Sequence, residues 1–328
     1  MTTRRLGSTG LQVTALCIGT SPLASMPRLY GYEVTEQQAV DTVNAVLDSH
    51  GAINLIDTSN GYGNDGSAEK RIGEALRRRR SNEPGLGGLP AGTILATKVD
   101  PDPYTGDFSG KRVRQSLEES MERLGLDHID LLHLHDPERI SFDEGTAPGG
   151  PVDTLADLKR EGLVSHLGVA GGPVDLMRQY LDTGVFEVVL THNRYTLLDR
   201  SAESLFRTAH ERGIGVLNAA PYGGGMLAKG PETQTQYAYG QRDDAIATAA
   251  AAMRAAATRA DVPLAAAALQ FSLRAPFIDS TVIGVSSPER VAQTLELAGV
   301  PIPDALWEEL EKLVPDSSLW LDPPKQGS

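Results

Sequence analysis

Four residues of different chemistry stand at or just beyond the ends of apolar, β-branched runs. Asp57 lies near the end of INLIDTS (53–59), Tyr62 follows in NGYGNDG, Lys98 lies near the end of TILATKV (93–99), and His135 closes IDLLHLH (129–135). An acid, a phenol, an amine and an imidazole held together make a proton-transfer set. A phenol ionises near pH 10 in water, and an adjacent ammonium favours its charged form. A carboxylate beside that ammonium keeps it charged in turn. Each residue alone has an ordinary alternative. Asp57 could cap a loop, Tyr62 could be a turn residue, Lys98 could extend its stem to water, and His135 could be a core histidine. Four such residues on three successive runs are what point to a site.

Convergence requires these runs to be neighbouring strands whose ends open on one face. Eight runs of this kind occur: ALCIGT (15–20), INLIDTS, TILATKV, IDLLHLH, SHLGVAG (165–171), EVVLTHN (187–193), IGVLNAA (214–220) and STVIGV (280–285). Their apolar character is nearly continuous, as in parallel strands covered on both faces. Amphipathic helical runs separate them. TEQQAVDTVNAVLDSHG (35–51) puts Ala39, Val43 and Leu47 on one face, with Thr35 as N-cap. SAEKRIGEALRRRR (67–80) starts on an imperfect capping box at Ser67, and 109–126 carries a stripe of Val113, Leu117, Met121 and Leu124. The Ala-rich stretch 243–275 reads as two helices broken near Asp261-Val262-Pro263. Strand count and even spacing favour an α/β fold of the (β/α)₈ barrel type over an open doubly wound sheet. No composition break marks a second domain, so residues 1–328 are expected to form one. Segments 84–92 and 146–150 read as loops, and 221–241 as a long polar loop of functional type.

With 328 residues, 40% hydrophobic and 22% charged, the chain is neither collagen-like nor wholly disordered nor a disulfide-stapled miniature. Its net charge of −13 argues against nucleic acid or an anionic membrane as main partner. A single cysteine, Cys17, forms no internal disulfide, which fits a cytoplasmic setting. The opening MTTRRLGSTGLQV contains an Arg pair but reads as a folded N-terminus, not an export signal, and no run is apolar enough to span a bilayer.

The segment IDTSNGYGNDGSAEKRIGEAL resembles the aldo-keto reductase signature of Asp-Thr, Tyr-Gly, Ser-Glu and Gly-x-Ala-Leu, with Ala68 intervening between Ser67 and Glu69. RRLGSTGLQVTALCIGT is similar to that family's N-terminal hairpin and first strand. ATKV carries the lysine, SLEESMERLGLDHIDLLHLHDP resembles the approach to the histidine, and LADLKREGLVSHLGVA resembles the segment before the nicotinamide site. The resemblance implies a barrel with an N-terminal β-hairpin and a C-terminal helix and tail. It implies that Asp57, Tyr62, Lys98 and His135 are a catalytic tetrad for interconverting a carbonyl and an alcohol with NAD or NADP. Tyr62 would exchange the proton, Lys98 would favour its phenolate, Asp57 would hold Lys98 charged, and His135 would orient the carbonyl.

No Rossmann fingerprint is present, since the glycines of PGLGGLPAG precede a strand. Barrel phosphate sites use the loops after strands seven and eight. PYGGGMLAKG and GVSSPERVAQT stand there, with Ser287 as N-cap and Pro288 opening a helix. The resemblance accordingly implies cofactor contacts from Thr20, Asp57, His192, Asn193, Pro221, Gly223, Gly225, Leu227, Gly284, Ser286, Ser287, Arg290 and Thr294. Several positions depart from the family pattern. Its Ser-Asn pair reads Ala170-Gly171, its Gln falls at His192, its stacking aromatic at Ala219, and one basic 2′-phosphate contact at Gly284. Arg290 remains at a second such position, so both dinucleotides stay open. HNRYTLLD and NAAPYGGG resemble the branch of sugar (D-threo-aldose, L-fucose) and pyridoxal dehydrogenases. Tyr30, Tyr32, Tyr62, His135, Trp320 and Leu321 are expected around the substrate.

Two rivals remain on the residues alone. His133 and His135 form a His-x-His pair that Lys98, His192 and Asp279 could complete as the metal site of a barrel hydrolase. Against it, Lys98 precedes the pair and Asp279 starts the eighth strand. The other is a nucleotide-binding regulatory role like that of the potassium-channel β-subunits, with Arg77–Arg80 as a docking patch or a solvated helix face.

Overall fold

In the computed structural model, residues 3–49, 51–82, 89–238, 240 and 243–324 are described. Loop residues 84–88 and residues 239 and 241 of the long polar loop lie outside them. Ten strands are present among the described residues: β1 (Thr3–Arg5), β2 (Gln12–Thr14), β3 (Leu16–Gly19), β4 (Leu55–Asp57), β5 (Ile94–Val99), β6 (Ile129–His135), β7 (Val164–Gly171), β8 (Val188–His192), β9 (Gly215–Ala219) and β10 (Ser280–Gly284). Each of the eight apolar runs is a strand. β3 to β10 form a closed barrel, and all its pairings are parallel. β10 pairs with both β9 and β3, which excludes the open sheet.

β1 and β2 form the expected hairpin and plug the N-terminal end of the barrel. Leu6 and Val13 are buried with Cys17, Leu55, Ala96, Leu131, Val188 and Leu217 in an inner apolar cluster. Arg4 of the Arg pair donates to the Ile278 carbonyl at 2.9 Å, and the Gly7 N–H donates to Asp279 at 3.1 Å. The outer core packs the helices onto the barrel.

Helix starts follow local chemistry where the side chains allow it. The hydroxyls of Thr35 and Ser109 accept from backbone N–H groups three residues on, as N-caps do. Ser67 differs from expectation, since its hydroxyl donates to the Ala24 carbonyl at 2.9 Å and ties helix Ser67–Asn82 to the loop after β3. Ser287 stands at the N-cap of helix Pro288–Gly299 but makes no side-chain capping bond. The Ala-rich stretch is two helices, Asp244–Arg259 and Leu264–Leu273, with Pro263 at the break. Arg77 and Arg78 pair with Glu74, Arg79 pairs with Asp48, and Arg80 donates to the Gly125 carbonyl. The arginine run is thereby engaged in local partners.

Helix Ser67–Asn82 approaches helix Gly110–Leu124 through Gly73. A Cβ there would lie 1.9 Å from the Arg123 carbonyl oxygen, a backbone atom with no rotamer to move. We expect Gly73→Ala to destabilise the fold by about 1–3 kcal/mol or more through overpacking. Urea unfolding measures this, and an unchanged midpoint would contradict the close approach.

Candidate active site

β4, β5 and β6 are adjacent, so the inward positions at their C-terminal ends converge. Lys98 is only 1% exposed, and its stem does not reach water. Its Nζ donates to Asp57 Oδ2 at 2.7 Å, to the Thr58 carbonyl at 2.7 Å and to the Tyr62 hydroxyl at 3.1 Å. Tyr62 is held in the turn after β4 by its N–H to the Ser59 carbonyl and by the Ala68 N–H to its own carbonyl. Its ring meets that of His135 edge-on, with centroids 5.7 Å apart. The structure therefore joins Asp57 and Tyr62 through one ammonium and sets His135 against the Tyr62 ring. Asp57 Oδ1 is buried and has no hydrogen-bond partner among the described residues.

His133 lies one layer deeper. It is fully buried, neither ring nitrogen has a partner, and burial holds its pKa well below the ordinary value. It packs as a core histidine, and its burial favours the neutral ring. The alternative metal set does not assemble. Lys98 is committed to Asp57, while Asp279 accepts from the Gly7 and Val216 N–H groups at the plugged end. Among the described residues no group of three or more His, Cys, Asp or Glu is arranged to hold a metal.

Reading strand ends alone misses Asp100. Period-2 alternation carries the inward face of β5 from Ala96 and Lys98 to this next residue, which would have been the signal. Asp100 Oδ1 is 2.7 Å from His135 Nδ1, and its Oδ2 accepts from the Gly61 N–H at 2.7 Å and from the Ser59 hydroxyl. Ser59 follows Leu55 and Asp57 by the same alternation. Burial opposes ionisation of Asp100, but the His135 charge and these hydrogen bonds outweigh it and bring its pKa down to about 2. Burial likewise disfavours a charged His135, and the Asp100 carboxylate outweighs that, so the imidazole pKa is raised.

The residues expected at the cofactor stand at the ends of β3, β4, β8, β9 and β10 and in the segments that follow them. Thr20 donates both its N–H and its hydroxyl to the Asp57 carbonyl. His192 ends β8, and burial together with the Arg194 charge brings its pKa to about 4. Asn193 Nδ2 lies 3.1 Å from His192 Nδ1, while Asn193 Oδ1 is buried without a partner. Asn193 holds a left-handed backbone, φ 60°, and its carbonyl accepts from the Tyr237 hydroxyl at 2.7 Å. That bond pins the long loop after β9 to the end of β8. Pro221 begins this loop, and Gly223, Gly224 and Gly225 run through left-handed backbone at φ 58°, 70° and 100°. Leu227 is packed in the outer core, so its side chain serves the wall. Gly284 ends β10. The Ser286 carbonyl accepts from Gln38, Arg290 donates to Gln293 at 2.6 Å, and the Thr294 hydroxyl donates to the Arg290 carbonyl.

The departures at 170–171 have a packing reason. Ala170 faces the inner cluster, and a Cβ on Gly171 would lie 2.7 Å from Glu138 Oε2 and 2.9 Å from Pro137 Cδ. The loop after β6 fills the space that longer side chains would need.

The candidate pocket walls come from two places. Tyr30 and Tyr32, after β3, stack at 5.9 Å, and Lys229 of the loop after β9 lies 5.9 Å from the Tyr32 ring. Trp320 and Leu321 belong to the C-terminal tail. Arg194 pairs with Asp322, and the Leu321 N–H donates to Asp199 at 2.7 Å, which latches the tail to the segment after β8. Leu321 remains 39% exposed.

An ammonium joining a carboxylate to a phenol, beside a carboxylate-backed imidazole, can move a proton to or from a bound oxygen and stabilise charge there. The chain is similar to known proteins along most of its length. The model of the aldo/keto reductase family matches residues 15–315. D-threo-aldose 1-dehydrogenase of a Pseudomonas species is 32% identical over 326 residues, covering 93% of this chain and 96% of that protein. L-galactose dehydrogenase of Arabidopsis thaliana is 33% identical over 319 residues, covering 95% and 93%. Pyridoxal 4-dehydrogenase of Microbacterium luteolum is 30% identical over 334 residues, covering 94% and 96%. The chain belongs to the aldo/keto reductase family and is an NAD(P)-dependent oxidoreductase of that family.

Proposed function

We propose that Asp57, Tyr62, Lys98 and His135 are the catalytic group of a dehydrogenase acting on the C1 hemiacetal of an aldose-type sugar. The observation that carries this reading is the Lys98 Nζ junction, which links Asp57 to the Tyr62 hydroxyl in a nearly dry site. In the oxidative direction the Tyr62 oxygen takes the proton from the substrate hydroxyl, and in the reductive direction it returns it. Lys98 favours the phenolate that receives this proton, and Asp57 supplies the ammonium's counter-charge. His135 hydrogen-bonds the reacting oxygen. His192, neutral because of burial and Arg194, uses Nδ1 as acceptor from Asn193 and leaves Nε2–H for a further substrate hydroxyl. The name of the Pseudomonas relative and the mixture of imidazoles with the Tyr30–Tyr32 stack support a polyhydroxylated substrate. The Microbacterium relative favours pyridoxal as a second reading.

The residues present fit a nicotinamide dinucleotide, which supplies the hydride acceptor or donor when bound. Asn193 Oδ1 is a buried unpaired acceptor suited to a primary amide. The glycine run after β9 and the start of helix Pro288–Gly299 suit a pyrophosphate and phosphate. Arg290 is the group for a 2′-phosphate, since Gly284 offers no charge there.

Titration with NAD, NADH, NADP and NADPH, followed by fluorescence, tests the reading, and a screen of aldoses, pyridoxal and simple aldehydes follows. Absence of saturable binding by all four nucleotides would overturn it. Arg290→Ala is expected to weaken NADP by about 10- to 150-fold while sparing NAD, because a charge-assisted phosphate contact contributes ~1.5–3 kcal/mol. Equal losses for both would remove that assignment.

A further inference from the structure

His135 has one ring nitrogen already engaged. Nδ1 lies 2.7 Å from Asp100 Oδ1 and 3.0 Å from Ser59 Oγ, while Nε2 is 3.6 Å from Asp136 Oδ1. Asp100 is buried, and its second oxygen is filled by the Gly61 N–H and the Ser59 hydroxyl. Ser59 and Gly61 donate to this carboxylate, and an ionised carboxylate only accepts. The proton of that contact therefore sits on Nδ1.

We propose that Asp100 is a positioning residue that keeps a proton on His135 Nδ1 in both charge states, so that Nε2 alone gains or loses the proton that faces the substrate oxygen. The proposal deepens the reading above and rests on its placement of His135 at the substrate. With the ring cationic, Nε2–H donates to a carbonyl or alkoxide oxygen, as reduction needs. With the ring neutral, Nε2 holds a lone pair and withdraws that hydrogen bond, so the substrate hydroxyl directs its one proton to the Tyr62 oxygen. The Nδ1 proton stays in place, and the Nε2 proton exchanges with solvent. Without Asp100 a neutral ring would be free to carry its proton on either nitrogen.

The groups around His135 set the direction of its titration. Asp100 beyond β5 and Asp136 after β6 favour the cation, Lys98 opposes it, and burial opposes it. Tyr62 lies edge-on. His133 below it and His192 at the end of β8 are both held neutral by burial. The balance raises the His135 midpoint, so donor character persists to higher pH than in a free imidazole and is lost as pH rises through it.

Asn at position 100 would present an N–H either to Gly61 and Ser59 or to His135, where every present partner donates. The test is ¹⁵N–¹H spectroscopy of the histidine rings in the nucleotide-free protein, with His135 assigned from the spectrum of His135→Gln. The expected result is a midpoint above 6.5, with the neutral ring protonated on Nδ1. In Asp100→Asn the midpoint should fall by about one unit or more, as loss of an adjacent opposite charge predicts. The alkaline limb of the reductive pH profile should move down by the same amount. A neutral wild-type ring protonated on Nε2, or equal midpoints in the two proteins, would overturn the proposal. So would a pH limb that stays in place while the spectroscopic midpoint moves, since a merely structural Asp100 would act that way. If Asp100→Asn does not fold, the wild-type spectrum decides alone. A protein that turns over no carbonyl or alcohol would sink the functional reading and leave the ring spectra still decisive for the Asp100–His135 pairing.

Discussion

Tyr62→Phe should lower turnover by about 10²–10⁴-fold in both directions while leaving nucleotide affinity within about twofold. That is the range in which a positioned proton donor contributes. The substitution removes one oxygen, which accepts from Lys98 at 3.1 Å, and keeps the ring that packs edge-on against His135. Lys98 retains Asp57 and the Thr58 carbonyl as partners, so the fold loses little. Steady-state rates and a fluorescence titration on the same preparation check both halves. Near-normal turnover would remove Tyr62 from the proton path, and a parallel loss of nucleotide binding would mean that the change had disturbed the pocket instead.

Lys98→Met should be costly twice over. Among the described residues the ammonium is the one cation hydrogen-bonded to the buried Asp57 carboxylate, and the other carboxylate oxygen has no partner. Removing one member of a buried ion pair typically costs about 3–5 kcal/mol, because the remaining charge stays desolvated. Turnover should fall as well, since the phenol loses its adjacent cation. A second substitution separates the two losses. In Lys98→Met/Asp57→Asn the orphaned charge is gone, so denaturant unfolding should return most of the stability while activity stays lost. Recovery of activity in the double variant would mean that Lys98 acts only by supporting the fold.

Much of the fold was legible because barrel strands are buried on both faces. β3 to β10 each carry a nearly continuous apolar run, and the runs 53–59 and 93–99 carry Asp57 and Lys98, which meet through the ammonium. The closed ring itself follows from strand count, but only the pairing of β10 with β3 distinguishes it from an open sheet. Asp57, Tyr62, Lys98 and His135 were legible as unusual side chains at strand ends. Asp100 was not, because it lies past the last β5 residue, where the reading stopped at the strand although the alternation did not. The caps at Ser67 and Ser287 failed for a different reason. A hydroxyl competes among several backbone groups, and the Ala24 carbonyl that takes Ser67 is 43 residues away in sequence. Glu138 filling the space beside Gly171, and Tyr237 reaching the Asn193 carbonyl, are likewise contacts between loops with no periodicity to announce them.

The pairing of β10 with β3 also orders events in time. Thr281 lies opposite Leu16, so the last strand of the ring closes on the first, and the Asp279 carboxylate holds the Gly7 N–H of the hairpin. During synthesis the strands carrying Asp57, Lys98 and His135 emerge early, and in the finished barrel they are neighbours in chain order. The two edges, β3 and β9, stay unpaired until residue 280 is made. Exposed parallel edges are templates for misassociation, and long-range pairing is slow. The strands that carry Asp57, Lys98 and His135 are therefore made 145 residues (280 − 135) before the strand that closes the ring.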